Sequence, residues 1–535
     1  MPVAPSDRLS AGMQALERGA WEEARTHLQA SLAAGETPQA LEQLGLAAWW
    51  LDDAALTFDA RERAYRIYRD QGDARGAARV ALWLVWDYLA FRNDSAVASG
   101  WLERARRLLA GHEKTAEYGW LLLRDGEVAL FRSHDPATAR ERGERAATLG
   151  RATGDRGLEF TGLALEGLAR VSAGDVAAGL RMLDEATAAA TAGEVKELHT
   201  VGVVCCWEIF ACERVRDYDR AAQWCARVLE FTRRWRIRVL SAVCRAQYAG
   251  VLIWGGQWSE AEAELAMATR DFEQVRPPLT VQAFARLGEL RLRQGRLDEA
   301  ATLFERAGSQ PMARLGLAAV ALERGAPEDA AAELERFLAH IGTAELTTRA
   351  GALELLVRAH VARGNGEGAA SARDELQRIA QAIGTTALAA SAALADALVL
   401  RHAGNLAAAA GRFEQAAALY ERGGAPYETA RARLALAETL SAMGQQAAAQ
   451  REAARAKEGL EQLARAPGAP TKQTLTTRQV EILRLVAKGL SNPEIAARLG
   501  LSDHTVKRHV ANLLTKLGLP SRAAAAAYAA KRGLL

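Results

Sequence analysis

Lys507 and Arg508 are adjacent cations inside the stretch SDHTVKRHVANLLTKLG, where apolar residues recur at helical spacing. Val506, Val510, Leu513 and Leu517 fall on one stripe at about 100° per residue. His504, Arg508, Ala511 and Thr515 are left on the opposite face, with Lys507 to one side and Thr505 and Asn512 to the other. Such a face suits DNA. Arg and Lys in the first turns of a helix reach guanine edges in the major groove, so Lys507 and Arg508 are the expected base readers. Thr505, Asn512, Lys516 and the helix start are better placed for phosphates. His509 sits at the boundary of the two faces, where a phosphate contact and a packing role are both open. The competing reading of the whole face is an ordinary solvated helix surface.

Other chemistry finds little footing. His27, His112, His134, His199, His340, His360 and His402 are scattered without ligand spacing, and there is no nucleophile elbow. No GxxxxGK[ST] sequence occurs, so the phosphate-cradling loop and its lysine are missing. Cys205, Cys206, Cys212, Cys225 and Cys244 have no CxxC spacing, and on helices they read as small buried hydrophobes. The expectation is a protein that is not an enzyme, with no cofactor and no metal.

Four helices are needed to position the DNA-reading face, and their caps are visible. Thr476 with Gln479, and Ser491 with Glu494, form capping boxes; Ser502 and Ser521 are simpler N-caps. Gly489, Gly500, Gly518 and Gly533 stand where left-handed C-caps are wanted. Only Gly500 and Leu501 separate Leu499 from the Ser502 cap, the short turn of a helix-turn-helix. The recognition helix is therefore 503–517, packing on Leu483, Val486, Ile495 and Leu499. Upstream, ARAPGAPTKQT holds Pro467, Gly468 and Pro470, which makes 465–474 a linker.

Charge agrees with that division. From Lys472 to the C-terminus lie 11 of the 68 Lys and Arg but only 3 of the 65 Asp and Glu, a net +8. The remaining 57 basic and 62 acidic residues leave the rest of the chain at −5. A basic patch beside a mildly acidic body is the electrostatic footprint of a separable nucleic-acid module.

Residues 1–464 repeat. Segments such as GRLDEAATLFERA place a small residue, a large apolar residue four later and a small one three after that. The first anchors are Ala24, Ala98, Ala139, Gly179, Ala221, Ala261, Ala300, Ala330, Ala369, Ala409 and Ala449, with one more unit expected around Phe58. From Ala98 the steps are 39 to 42 residues, except 30 between Ala300 and Ala330. An i, i+4, i+7 pattern puts all three anchors on one helical face, so each unit is a helix pair. The pattern resembles the tetratricopeptide repeat, although the period exceeds its usual ~34 residues and most first-helix Trp, Leu and Tyr signals are absent. The fold class is all-α: an α-solenoid of about twelve pairs over 1–464, then a small four-helix domain over 475–535.

All 12 Trp lie between Trp21 and Trp258. Trp49, Trp50, Trp207, Trp224, Trp254 and Trp258 either line a binding groove or fill gaps between loosely packed helices.

The segment from Leu475 also resembles the LuxR-type (GerE-like) helix-turn-helix over its full length. The resemblance rests on LTTR at Leu475–Arg478, GLSNPEIAARLG at Gly489–Gly500 and SDHTVKRHVANLLTKLG at Ser502–Gly518. It implies base-proximal Lys507 and Arg508, backbone-proximal Thr505, His509, Asn512 and Lys516, and a dimer contact through Arg522–Lys531. Thr477, Gln479 and Ala511 depart from the common residues, and Ala511 narrows the expected base readout. Large regulators of this type often carry an ATPase domain, which this chain lacks; a receiver domain is not seen either. The implied function is DNA-binding transcription regulation, with the repeats as a sensory or protein-interaction module, or purely as a recruiting scaffold. Expected partners are double-stranded DNA, a protein, peptide or small-molecule effector on the array, RNA polymerase, and a second copy on DNA. With no signal peptide and no run of about 18 uncharged apolar residues, the expected location is cytoplasmic, without a membrane partner.

Overall fold

The computed structural model describes residues 5–235, 238–464, 477–488 and 490–499, together with Val506, Val510, Ala525 and Ala529. The chain divides into two compact units, Met1–Ala464 and Arg465–Leu535. Among the described residues there is no strand. Among the described residues the first unit holds 24 α-helices, from α1 (Pro5–Glu17) to α24 (Gln446–Ala464), each packed on its sequence neighbours. The linker expected at 465–474 lies outside the described residues.

The repeat anchors explain the pairing. Ala24, Phe58, Ala98, Ala139, Ala221, Ala261, Ala300, Ala330, Ala369, Ala409 and Ala449 are buried, as is Gly179, each on the second helix of a pair. Small anchors let helix axes approach. Between α8 (Pro136–Thr153) and α9 (Arg156–Ser172) the backbones come close, and a Cβ on Gly162 would lie 2.4 Å from the backbone nitrogen of Ala147. Gly143 faces it from α8, where a Cβ would meet Glu166 N at 2.7 Å.

Several turns between consecutive helices share one chemical rule. A residue at positive φ ends one helix, and an Asp or Asn side chain then accepts the backbone N–H of the third residue onward to start the next. Gly72–Asp73, Gly154–Asp155 and Gly364–Asn365 are of this kind, with Asp73 accepting from Gly76 at 2.8 Å. Four turns put a side chain in the glycine slot: Asp52, Asn93, His134 and Arg216, at φ of 62°, 53°, 53° and 58°. For such residues the left-handed region costs on the order of 1 kcal/mol or more.

Three of the four offset that strain with contacts across the inside of the coil. Asp52 pairs with Arg276 at 2.6 Å, His134 with Glu345 at 3.2 Å, and Arg216 with Glu354 at 2.9 Å. Arg276 also donates to the carbonyl of Trp49 at 2.9 Å, 227 residues away. Arg293 and Glu428, and Trp254 and the carbonyl of Gly423, close at 2.5 and 3.1 Å. These groups lie on the first helices of pairs or in the turns at either end of them. The array therefore winds until later pairs meet earlier ones, and the first helices fill the space between.

Burial on the inside shifts several groups. Glu208, on α11 (Leu198–Arg214), is fully buried; it accepts the Cys212 thiol at 3.1 Å through Oε1, and its Oε2 has no hydrogen-bond partner. Desolvation pushes its carboxyl up to about 7. The folded chain thus holds this proton to about pH 7, whereas the unfolded chain releases it near the ordinary 4.5, so stability falls as pH rises between those values. Glu208→Gln is expected to remove that loss, stabilising by on the order of 2–3 kcal/mol at pH 8 and far less at pH 4.5. Thermal melts of both proteins at the two pH values check it; equal differences would show that the buried carboxyl ionises as readily folded as unfolded.

Cys205, Cys212, Cys225 and Cys244 are buried and Cys206 is half-buried; all five are free. Burial raises every one of these thiols, Cys206 up to about 12. They behave as packing groups and carry no accessible thiolate.

Candidate nucleic-acid interface

In the second unit, α25 (Thr477–Ala487) and α26 (Asn492–Leu499) form the described frame. Ile482, Leu483 and Val486 recur at helical spacing on α25, and Ile495 and Ala496 answer them from α26. Ser491 stands immediately before α26. Its backbone N–H and its hydroxyl both donate to Glu494 Oε2 at 2.7 Å, the backward half of a capping box. These bonds to the charged form hold the Glu494 carboxyl below its usual range.

Val506 and Val510 are helical and buried in the same core as Leu483, Val486 and Ile495, with Leu499 partly buried against it. Ala525 and Ala529 complete it at another i, i+4 spacing. That is the core expected for a third helix lying across the first two. The expected DNA contacts Thr505, Lys507, Arg508, His509, Asn512 and Lys516 lie outside the described residues. So do Thr476, Leu513, Leu517, the caps at Ser502 and Ser521, the four C-cap glycines, and all of Arg522–Lys531 except Ala525 and Ala529.

In the first unit, the Trp residues are largely consumed by packing. Trp49, Trp207, Trp254 and Trp258 are buried. Trp50 stacks on Trp21 at 5.3 Å, Trp254 stacks on Tyr218 at 4.6 Å, and the Trp258 indole donates to the carbonyl of Ile253. The rings of Trp49, Trp83 and Trp86 stand 5.5, 5.0 and 4.8 Å from that of His199. Burial, with Arg124 and Arg61 nearby, pushes His199 well below its ordinary value, so the caged ring is neutral. Trp224 differs, because it is half-buried on a second helix and gives its indole N–H to Asp184 at 3.0 Å. The inside of the first half is therefore filled by aromatic rings and ion pairs, and gap filling is the role these rings play.

Sequence reasoning missed the residues that cross the coil. The available signal was the slot before the capping Asp, where Asp52, His134 and Arg216 replace the glycine used elsewhere. Among the described residues no cluster of three His, Cys, Asp or Glu could hold a metal ion, and no helix is long and apolar enough to cross a membrane.

Residues 473–529 match the family "Bacterial regulatory proteins, luxR family". Over 52 residues the chain is 54% identical to a nitrate/nitrite response regulator protein homolog of Haemophilus influenzae, covering 10% of this chain and 25% of that protein. Over 63 residues it is 46% identical to the response regulator protein VraR of Staphylococcus aureus, covering 12% and 30%. The chain thus spans under a third of the length of these relatives, and the shared part is the luxR-type DNA-binding segment. Along the repeats, the fold is similar to a chain of the APC/C hetero-tetramer Cut9–Hcn1, with TM-score 0.45 and 13% identity over 100% of this chain and 97% of that one. A Rap protein complexed with competence and sporulation factor gives TM-score 0.40 and 14% identity over 73% and 99%.

Proposed function

We propose that the chain is a DNA-binding transcription regulator whose helix 503–517 reads the major groove, Lys507 and Arg508 contacting bases and Thr505, His509, Asn512 and Lys516 the backbone. The observation that carries this reading is the luxR-family match over 473–529, which coincides with the segment whose buried frame contains Val506 and Val510. The helical period that commits those two valines to the core assigns Lys507 and Arg508 to the rim and the far side. The net +8 from Lys472 onward supplies the sequence-independent attraction to phosphate. A second copy, paired through Arg522–Lys531, would match two half-sites, and RNA polymerase would be the downstream contact.

The repeat array is the module through which partners act. A filled interior favours docking of a protein or peptide on its surface over capture of a small molecule in the coil, so recruitment and control both run through exposed faces. Chromatin immunoprecipitation of the tagged chain in its own cell tests the reading. Bound sites sharing one sequence motif support it, whereas enrichment without any common sequence contradicts it.

A further inference from the structure

Four arginines with no ion pair gather on the outer side of the array, at the second helices α4 (Ala54–Asp70) and α6 (Ser95–Leu108). Arg66 and Arg69 are one turn apart on α4, and Arg104 and Arg107 are one turn apart on α6, so each pair shares a helical face. Together with Tyr65 and Asp70 they line an open bowl of about 580 Å³. All four are exposed, and among the described residues no carboxylate oxygen lies within 4.0 Å of any of their guanidiniums. The Arg104 guanidinium lies 4.9 Å over the ring of Trp101, which itself meets Tyr65 edge to face at 4.9 Å. A stacked guanidinium is partly fixed before any partner arrives and keeps its N–H fork free.

A second open bowl on the array shows what a self-satisfied surface looks like. There Arg220 is bound to both Asp184 and Asp217, and Trp224 donates to Asp184. The arginine bowl has no such internal pairing, although its unit carries a net negative charge.

We infer that the bowl formed by Arg66, Arg69, Arg104 and Arg107 is the docking site for an acidic segment of a protein partner. This inference rests on the reading of the array as the interaction module and names the chemistry of its partner. Guanidinium forks take carboxylates two N–H groups at a time, and Arg beside Trp and Tyr is the composition of binding hot spots. Duplex DNA fits less well. It demands a run of cations along a face, whereas here Asp70 sits in the bowl and Glu103 directly precedes Arg104 on α6. A bowl of this size admits a few acidic side chains and not a double helix.

The test uses the full chain and a short fluorescein-labelled peptide rich in Asp and Glu, with binding followed by anisotropy at low salt. Replacing the four arginines together by Ala is expected to weaken peptide binding at least about tenfold, the sum of four modest charge pairs. Replacing them by Lys is expected to give an intermediate affinity, because the charge stays and the fork is lost. The basic segment after Lys472 is common to all three proteins and contributes equally to each. Unchanged melting temperature identifies the loss as one of binding; a variant that unfolds is replaced by single Ala substitutions at these exposed positions, each expected to weaken binding by less. Equal peptide affinity for the wild-type and Ala proteins overturns the inference, as does the absence of peptide binding to the wild-type chain. A fall in affinity for random duplex DNA without one for peptide also overturns it and reassigns the bowl to nucleic acid. Promoter binding measured on the same proteins reports separately on the proposed DNA-reading function.

Discussion

Substituting Lys507 and Arg508 together by Ala is expected to lower the preference for the cognate site over random DNA by roughly 30-fold to 20,000-fold. The magnitude follows from two base contacts of roughly 1–3 kcal/mol each, at about 1.4 kcal/mol per factor of ten. The effect should fall on discrimination more than on overall attachment, because the other cations of the segment remain to hold phosphates. Lys516→Ala should behave in the opposite way, weakening all sequences alike and lowering the salt slope by about one unit. The double substitution leaves Val506, Val510 and their core untouched, so the segment should melt as before. Competition binding with cognate and shuffled duplexes separates the two behaviours. An unchanged preference would show that another element reads the bases.

The second large effect is expected inside the array, at Asp87. This residue ends α5 (Ala74–Asp87), and both of its carboxylate oxygens accept from Arg61 Nη1 at 2.5 Å. Both partners are buried, with Asp87 0% and Arg61 1% exposed. Burial pushes the Asp87 carboxyl above its usual range, and the neighbouring charges of Arg61 and Arg276 offset this only in part. Asp87→Ala would leave the Arg61 guanidinium buried without a counter-ion, close enough to Arg276 to disfavour the charge of that second arginine. Breaking such a pair costs about 3–5 kcal/mol, a large share of a typical total stability of roughly 5–15 kcal/mol. Removing both partners, as Arg61→Met with Asp87→Leu, is expected to restore most of that loss, because no charge is then left in the interior. Repeat arrays unfold in parts, so hydrogen exchange across residues 54–108 is a better readout than one melting temperature. A single variant protected as well as the wild type would mean that this pair does not hold the early turns together.

How much of this was legible in the sequence depends on the range of the contact. The pair architecture was readable because each anchor acts through its own helix hairpin: Ala300, Phe304 and Ala307 announce their face within two turns, and all three are buried there. The Ser491–Glu494 cap and the burial of Val506 and Val510 are similarly local and were expected from spacing alone. The contacts across the coil were not. Asp52 and Arg276, or His134 and Glu345, are brought together by curvature accumulated over several pairs, and no short-range pattern records that curvature. The Trp residues illustrate the same limit. Composition placed all of them in the first half, but whether they lined or filled a groove depended on His199 and Arg276 arriving from distant turns. In the DNA-binding segment, spacing proposes which side chains face the groove, and that assignment remains for experiment to test.

The most direct measurement of the central claim is the affinity of the purified full chain for a duplex from one of its own bound sites, titrated against salt beside a shuffled duplex. The account predicts that log affinity falls linearly with log salt for both, with a slope of about −0.9 per phosphate neutralised, and that the cognate duplex stays at least about a thousandfold tighter at physiological salt. Equal affinities for the two duplexes, or binding that does not respond to salt, would contradict it.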